Sequence, residues 1–185
     1  MIAQQIKLQP LPLSGAFLIS PMQFDDERGS FYKLYSAQTL SQMLAPTTFV
    51  EEYLSVSKKG VLRGLHYQTG AHSQAKLVRC VRGEVLDAIV DLRKSSPTFG
   101  KAATALLSEK NMLSLYAPRG FAHGFLALTE GASVLYKADN DYAPAHEKGI
   151  MWDDPAISIS WPIKNPILSD KDKKWSALKD AQLFE

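Results

Sequence analysis

Gly60-Val61-Leu62-Arg63-Gly64-Leu65-His66-Tyr67-Gln68 reads as a strand that carries polar groups into an apolar setting. Side chains alternate across a strand, so Leu62, Gly64, His66 and Gln68 are expected on one face and Val61, Arg63, Leu65 and Tyr67 on the other. A histidine beside a glycine on an inward face has room for a ligand. Taken alone, such a histidine reads as a core residue satisfied by a neighbour. On either side the chain repeats short β-type runs bounded by Gly, Pro, Asp or Asn. They cover residues 16–20, 30–35, 49–56, 61–67, 75–81, 84–92, 102–107, 113–117, 122–128, 133–138 and 157–161. Many short strands without intervening helices predict an all-β sandwich or barrel. Two short peripheral helices are expected. One is Ala37 to Leu44, with Ser36 as N-cap and Pro46 as stop; the other is Lys173 to Ala181. No repeat, low-complexity tract or linker divides the chain, so residues 1–185 are expected to form one domain.

Composition narrows the function classes. Hydrophobic residues at 45% and charged residues at 22% are ordinary for a globular protein. A formal charge of +2, with Lys and Arg in short clusters only, argues against nucleic acid as a partner. The single cysteine, Cys80, excludes an intramolecular disulfide and sits in an apolar run, as a packed thiol would. The segment Met1 to Lys7 lacks a basic stretch leading into an apolar core, and no apolar run approaches the ~20 residues of a membrane span. No membrane association and a cytoplasmic location are therefore expected.

The four histidines, His66, His72, His123 and His146, raise the question of a metal. A metal site wants two or three histidines together, often as same-face neighbours. The same-face neighbour of His66 is Gln68, and His72 lies in a turn, so no metal is expected. Other polar interruptions point elsewhere. Lys76 begins an apolar strand, where a lysine either reaches solvent or serves a ligand. His123 interrupts Gly120-Phe121-Ala122-His123-Gly124-Phe125, and Tyr136-Lys137 ends another apolar run. Several such interruptions predict a barrel mouth or lumen with ligand-facing groups.

At these residues the chain resembles the dTDP-4-dehydrorhamnose 3,5-epimerase family. The matching blocks run in order from Asp26-Glu27-Arg28-Gly29 through Gly60 to Gln68, Gln74-Ala75-Lys76, Arg82 to Asp87, Ser96 to Gly100, Gly120 to Phe125 and Trp152 to Pro155, to Leu168 to Asp172. The resemblance implies a cupin-type jelly roll without metal or other cofactor, usually a homodimer, acting on a nucleotide-diphosphate sugar. It implies that dTDP-4-keto-6-deoxyglucose is epimerised at C3 and C5 to dTDP-4-keto-L-rhamnose through an enolate. On it, His66 matches the base, Asp172 the carboxylate that orients it, Tyr136 the acid on the opposite face of the sugar, and Lys76 the group beside the enolate oxygen. Arg28, Phe31, Arg63, His123, Glu147 and Lys171 match substrate-holding positions, Tyr142 matches an aromatic residue packed near the base, and Arg28 is expected to reach a partner subunit's site. The chemistry suits these residue types. Histidine accepts protons near neutrality, tyrosine stays protonated there, and a lysine stabilises developing negative charge.

Lys33, Glu51 and Tyr53 depart from the resemblance. The family often has Glu at the first position and Gln-x-Asn at the segment holding the other two, near the substrate. A compensating Lys33–Glu51 pair is one expectation. The departures bear on which nucleotide, sugar or carbon is handled, so an epimerase for another nucleotide-linked 4-keto-6-deoxy sugar is the second reading. A non-catalytic sugar-nucleotide-binding barrel is the third.

Overall fold

The computed structural model describes residues 5–41, 44 and 47–185. Pro46, the expected helix stop, and the first four residues of the chain lie outside the described residues. Thirteen strands follow in chain order: β1 (Lys7–Pro10), β2 (Phe17–Ser20), β3 (Met22–Asp26), β4 (Gly29–Lys33), β5 (Glu51–Ser57), β6 (Leu62–Gln68), β7 (Lys76–Arg82), β8 (Glu84–Asp91), β9 (Ala102–Ser108), β10 (Ser114–Ala117), β11 (Phe121–Ala127), β12 (Ala132–Ala138) and β13 (Glu147–Gly149). A six-stranded sheet has the order β1-β2-β10-β7-β12-β5, a five-stranded sheet the order β13-β6-β11-β8-β9, and β3 and β4 form a separate hairpin.

Alternation sorts the side chains of these strands into three layers. Val78 and Cys80 of β7, Val85 and Ile89 of β8, Phe121 and Phe125 of β11 and Val134 of β12 fill the space between the sheets. The alternate residues Ala88 and Val90 of β8, with Leu65 and Tyr67 of β6, pack on the outer face of the five-stranded sheet under Ile157, Leu178 and Phe184. Leu77 of β7 and Tyr116 of β10 pack outward on the six-stranded sheet, under Leu40, Tyr35 and Phe49. Both sheets are thus buried on two faces along much of their width, which explains why their strands read as nearly continuous apolar runs.

The short helix α1 spans Ala37–Ser41, and the Ser36 hydroxyl accepts the Thr39 N–H at 3.3 Å, as expected of an N-cap. Two expected elements are absent. Residues 157–161 form no strand: a turn ends at Ile157 and 158–161 are irregular, because Asp154 accepts the backbone N–H groups of Ile157 and Ser158 through its carbonyl and of Ala156 through its carboxylate. Such local capping competes with a sheet ladder. The helix expected from Lys173 to Ala181 is instead two single 3-10 turns, Asp172–Lys174 and Leu178–Asp180. Between them Ser176 forms a bridge with Ile150, and the Leu178 N–H is taken by Asp154 Oδ2 at 2.6 Å. The C-terminal tail therefore lies along the barrel at isolated bridges, Val61 with Ile167, Ile150 with Ser176 and Arg93 with Phe184. Among the described residues no helix is long and apolar enough to cross a membrane.

Candidate active site

A cavity of about 460 Å³ opens between the two sheets, a size suited to a small ligand. Its walls include His66 and Arg63 from β6, His123 from β11, Lys76 from β7, and Tyr53 and Tyr136 from β5 and β12. Tyr142 and Glu147 stand beside β13, and the tail adds Lys171 and Asp172.

The strand that carries His66 is not regular. His66 pairs with His123 and Arg63 with Phe125, so three residues of β6 are spanned by two of β11. The irregularity is a β-bulge, and it breaks alternation. Partners directly opposite share a face, and His123 and Phe125 are two apart, so Arg63 joins His66 on the inner face. The expectation that Arg63 faces away from His66 is corrected here. The space beside Gly64 is also not left for a ligand. A Cβ on Gly64 would lie 2.6 Å from Gly124 Cα, because the two backbones touch at the bulge.

His66 Nε2 is hydrogen-bonded to Asp172 Oδ1. Asp172 is buried, and Trp175 Nε1 donates to the same oxygen at 3.2 Å. The Trp175 ring meets His66 edge-on, with centroids 5.9 Å apart. Burial pushes the Asp172 carboxyl up, but contacts from His66, Ser169 and Trp175 outweigh it and hold the group below its ordinary range. With Nε2 against a carboxylate, the neutral imidazole carries its proton there and keeps a lone pair on Nδ1.

A second histidine–carboxylate pair lies deeper. His123 Nε2 is 2.9 Å from Asp87 Oδ2, and both side chains are buried. Burial pushes the Asp87 carboxyl up, opposed by His123 and Lys76. Its other oxygen, Oδ1, has no hydrogen-bond partner among the described residues. Lys76 is pushed down to about 8 by burial, with Glu147 and Asp87 opposing. Tyr136 is pushed up by burial, with Arg63 opposing, and so remains a phenol near neutrality. At the mouth, Glu147 accepts the Tyr142 hydroxyl at 2.8 Å and Lys171 Nζ at 2.7 Å. Burial raises the Glu147 carboxyl, but these two donors bring it below its ordinary range.

Of the residues expected at a site, His66, Tyr136, Asp172, Lys76, Tyr53, Arg63, His123, Tyr142, Glu147 and Lys171 all meet at this cavity. Glu51 stands behind it, bonded to the Tyr53 hydroxyl and to the Tyr142 N–H. The expected Lys33–Glu51 ion pair is not among the ion pairs of the described residues: Glu51 Oε2 meets Tyr53 and Tyr142, and Lys33 lies on the β3–β4 hairpin. Arg28, Phe31 and Lys33 sit on the β3–β4 hairpin, away from the cavity wall; Arg28 pairs with Asp26 at 2.6 Å and Phe31 is exposed. Asp87 and Trp175 were not anticipated. Asp87 carries the same signal as Lys76, a charged residue inside an apolar strand. Trp175 offers none, lying in a polar tail. Among the described residues no three His, Cys, Asp or Glu side chains gather as a metal site requires.

The sequence profile described as dTDP-4-dehydrorhamnose 3,5-epimerase matches residues 10–180. The chain belongs to this epimerase family. The dTDP-4-dehydrorhamnose 3,5-epimerase of Salmonella typhimurium is 49% identical over 175 residues, covering 94% of this chain and 96% of that one. The crystal structure of the epimerase from Elizabethkingia anophelis superposes with a TM-score of 0.93 at 45% identity, over 96% of this chain and 98% of that one. The Legionella pneumophila epimerase, solved in complex with dTDP-4-keto-L-rhamnose, gives a TM-score of 0.92 at 38% identity, over 96% of this chain and 95% of that one. The two sheets are therefore the cupin-type jelly roll of the epimerase family, and the enzyme class expected from the sequence, an isomerase, stands.

Proposed function

We propose that this epimerase inverts C3 and C5 of dTDP-4-keto-6-deoxyglucose to give dTDP-4-keto-L-rhamnose, with His66 as base and Tyr136 as acid. The observation that carries the reading is the cavity into which β6 of one sheet brings His66, bonded to Asp172 of the tail, while β12 of the other brings Tyr136. A sugar between the sheets meets a base on one side and an acid on the other. His66 takes the proton from C3, and the electron pair moves through the carbon framework onto the C4 oxygen. Lys76 stabilises that oxyanion. Tyr136 gives a proton to the opposite face of C3, the enolate collapses to the ketone, and the configuration is inverted. His66 then releases its proton to solvent and Tyr136 takes one up, and the same sequence at C5 completes the reaction. The ketone makes both carbons acidic, so the chemistry needs neither metal nor nicotinamide. Asp172 holds the ring of His66 and stabilises its protonated form.

Arg63, His123, Glu147, Lys171 and Tyr142 hold the sugar and its diphosphate, and Arg28, Phe31 and Lys33 complete the site of a second copy. Support for the dimer comes from apolar surface on the edge strand β5, where Val50 just before it and Leu54 and Val56 within it are each more than half exposed. Mixing His66→Ala with Arg28→Ala protein tests this. A dimer with shared sites regains activity, because one site per mixed dimer is intact; no recovery after subunit exchange counts against sharing.

Incubation with the dTDP keto sugar in deuterated water tests the reaction. Deuterium is expected at both C3 and C5. His66→Ala should lower exchange by at least about 10³-fold with the fold retained. The departures at Lys33, Glu51 and Tyr53 favour one further reading, an enzyme for a different 4-keto-6-deoxy sugar or for one carbon only. Label at a single carbon would decide for it. A folded protein that exchanges neither carbon is a binding barrel.

A further inference from the structure

We propose that Tyr53 positions the acid: its ring, tied to Glu51, fixes the orientation of Tyr136 and does not itself bind substrate. This rests on the reading of Tyr136 as proton donor. Tyr53 and Tyr136 are direct partners on the antiparallel strands β5 and β12. Their rings stack with centroids 5.2 Å apart and planes 27° apart, an attractive arrangement for two aromatic rings.

The stack is anchored from behind. The Tyr53 hydroxyl donates to Glu51 Oε2, and Glu51 lies two residues along the same strand face. The same oxygen accepts the Tyr142 N–H at 2.9 Å. The Tyr142 hydroxyl in turn donates to Glu147, which holds Lys171. Tyr53 therefore has its one donor committed inside the protein and one ring face committed to the acid. That donor is not left to recognise a sugar. A free phenol on a strand samples several staggered orientations. A ring clamped over it removes those that swing away from the cavity. The same ring shields Tyr136 from water, which helps to keep it protonated. An asparagine, the residue that the resemblance leads one to expect at this position, can do neither. The pair Glu51–Tyr53 is thus a single device, and the two departures from the resemblance are explained together.

The test separates positioning from binding. For Tyr53→Asn we expect kcat to fall about 10- to 100-fold, the scale of a misplaced catalytic group, with KM within about threefold. Tyr53→Phe keeps the stack and loses the bond to Glu51, so its kcat falls between the two. Glu51→Ala removes the same bond from the other side and follows Tyr53→Phe. A rise in KM at unchanged kcat makes Tyr53 a substrate contact and overturns the proposal. So does unchanged kcat in both Tyr53 variants. If the unsubstituted enzyme exchanges no deuterium, the proposed function fails and this role fails with it. If it exchanges and the variants match it, only the role of Tyr53 fails.

Discussion

Lys76 is held where a lysine is uncomfortable. Burial lowers it from an ordinary 10.5 to about 8. Between pH 8 and 10.5 the unfolded chain binds a proton there and the folded one does not, so the lysine's contribution to stability rises with pH in that window. Below about 8 the full cost of a buried charge remains, on the order of 3 kcal/mol. Lys76→Met is therefore expected to raise the unfolding free energy at pH 7 by up to about that amount. The same change should lower turnover about 10²- to 10³-fold, since the oxyanion loses its cation. Denaturant titration and deuterium exchange on one preparation measure both effects; a variant that is both less stable and inactive would sink the argument. Lys76 and His66 were legible in the sequence because each interrupts an apolar run. Asp172 was legible only through the family resemblance, since it lies 106 positions from His66 in a polar tail where one carboxylate looks like another. Asp87 had the signal of Lys76 and was still missed, because the residues around it in β8 read as ordinary core.

The elements were read well where one rule governed them and poorly where two competed. Runs that alternate between two buried faces, such as β7, β8 and β11, match their expected ranges to within a few residues. The run at residues 157–161 has a strand's composition, but the capping by Asp154 turns the chain at its start and leaves 158–161 without a ladder. Lys33 and Glu51 were paired on charge alone, but Lys33 belongs to the separate β3–β4 hairpin and Glu51 turns to Tyr53 and Tyr142. The bulge in β6 is the most consequential case, because alternation misassigns Arg63. Its cause is the contact between Gly64 and Gly124, which a Cβ on either residue would disturb. Gly64→Ala places a methyl 2.6 Å from Gly124 Cα and 2.8 Å from the His123 carbonyl oxygen, in a backbone with φ of +123°. Gly29, with φ of +122° and nothing within 4 Å of its notional Cβ, is the control for backbone strain alone. We expect Gly64→Ala to lower the unfolding free energy by about 3 kcal/mol or more, well beyond Gly29→Ala. Equal denaturant midpoints for the two variants would remove the close approach as the cause.

At the scale of the whole molecule, the site draws the proposed base, His66, from one sheet, the proposed acid, Tyr136, from the other, and Asp172, bonded to His66, from neither. Asp172 belongs to the tail, which meets the barrel at isolated bridges rather than through a ladder. It is seated by Trp175, whose ring packs so close to Gly149 that a Cβ there would lie 2.5 Å from it. Segments held by few backbone bonds open before the sheets they cover. Loss of deuterium exchange is accordingly expected at lower denaturant than loss of the far-ultraviolet sheet signal, and coincident transitions would show the tail and barrel to be one cooperative unit. The working lifetime of this enzyme is then the lifetime of its strap, and the barrel outlives the catalyst it contains.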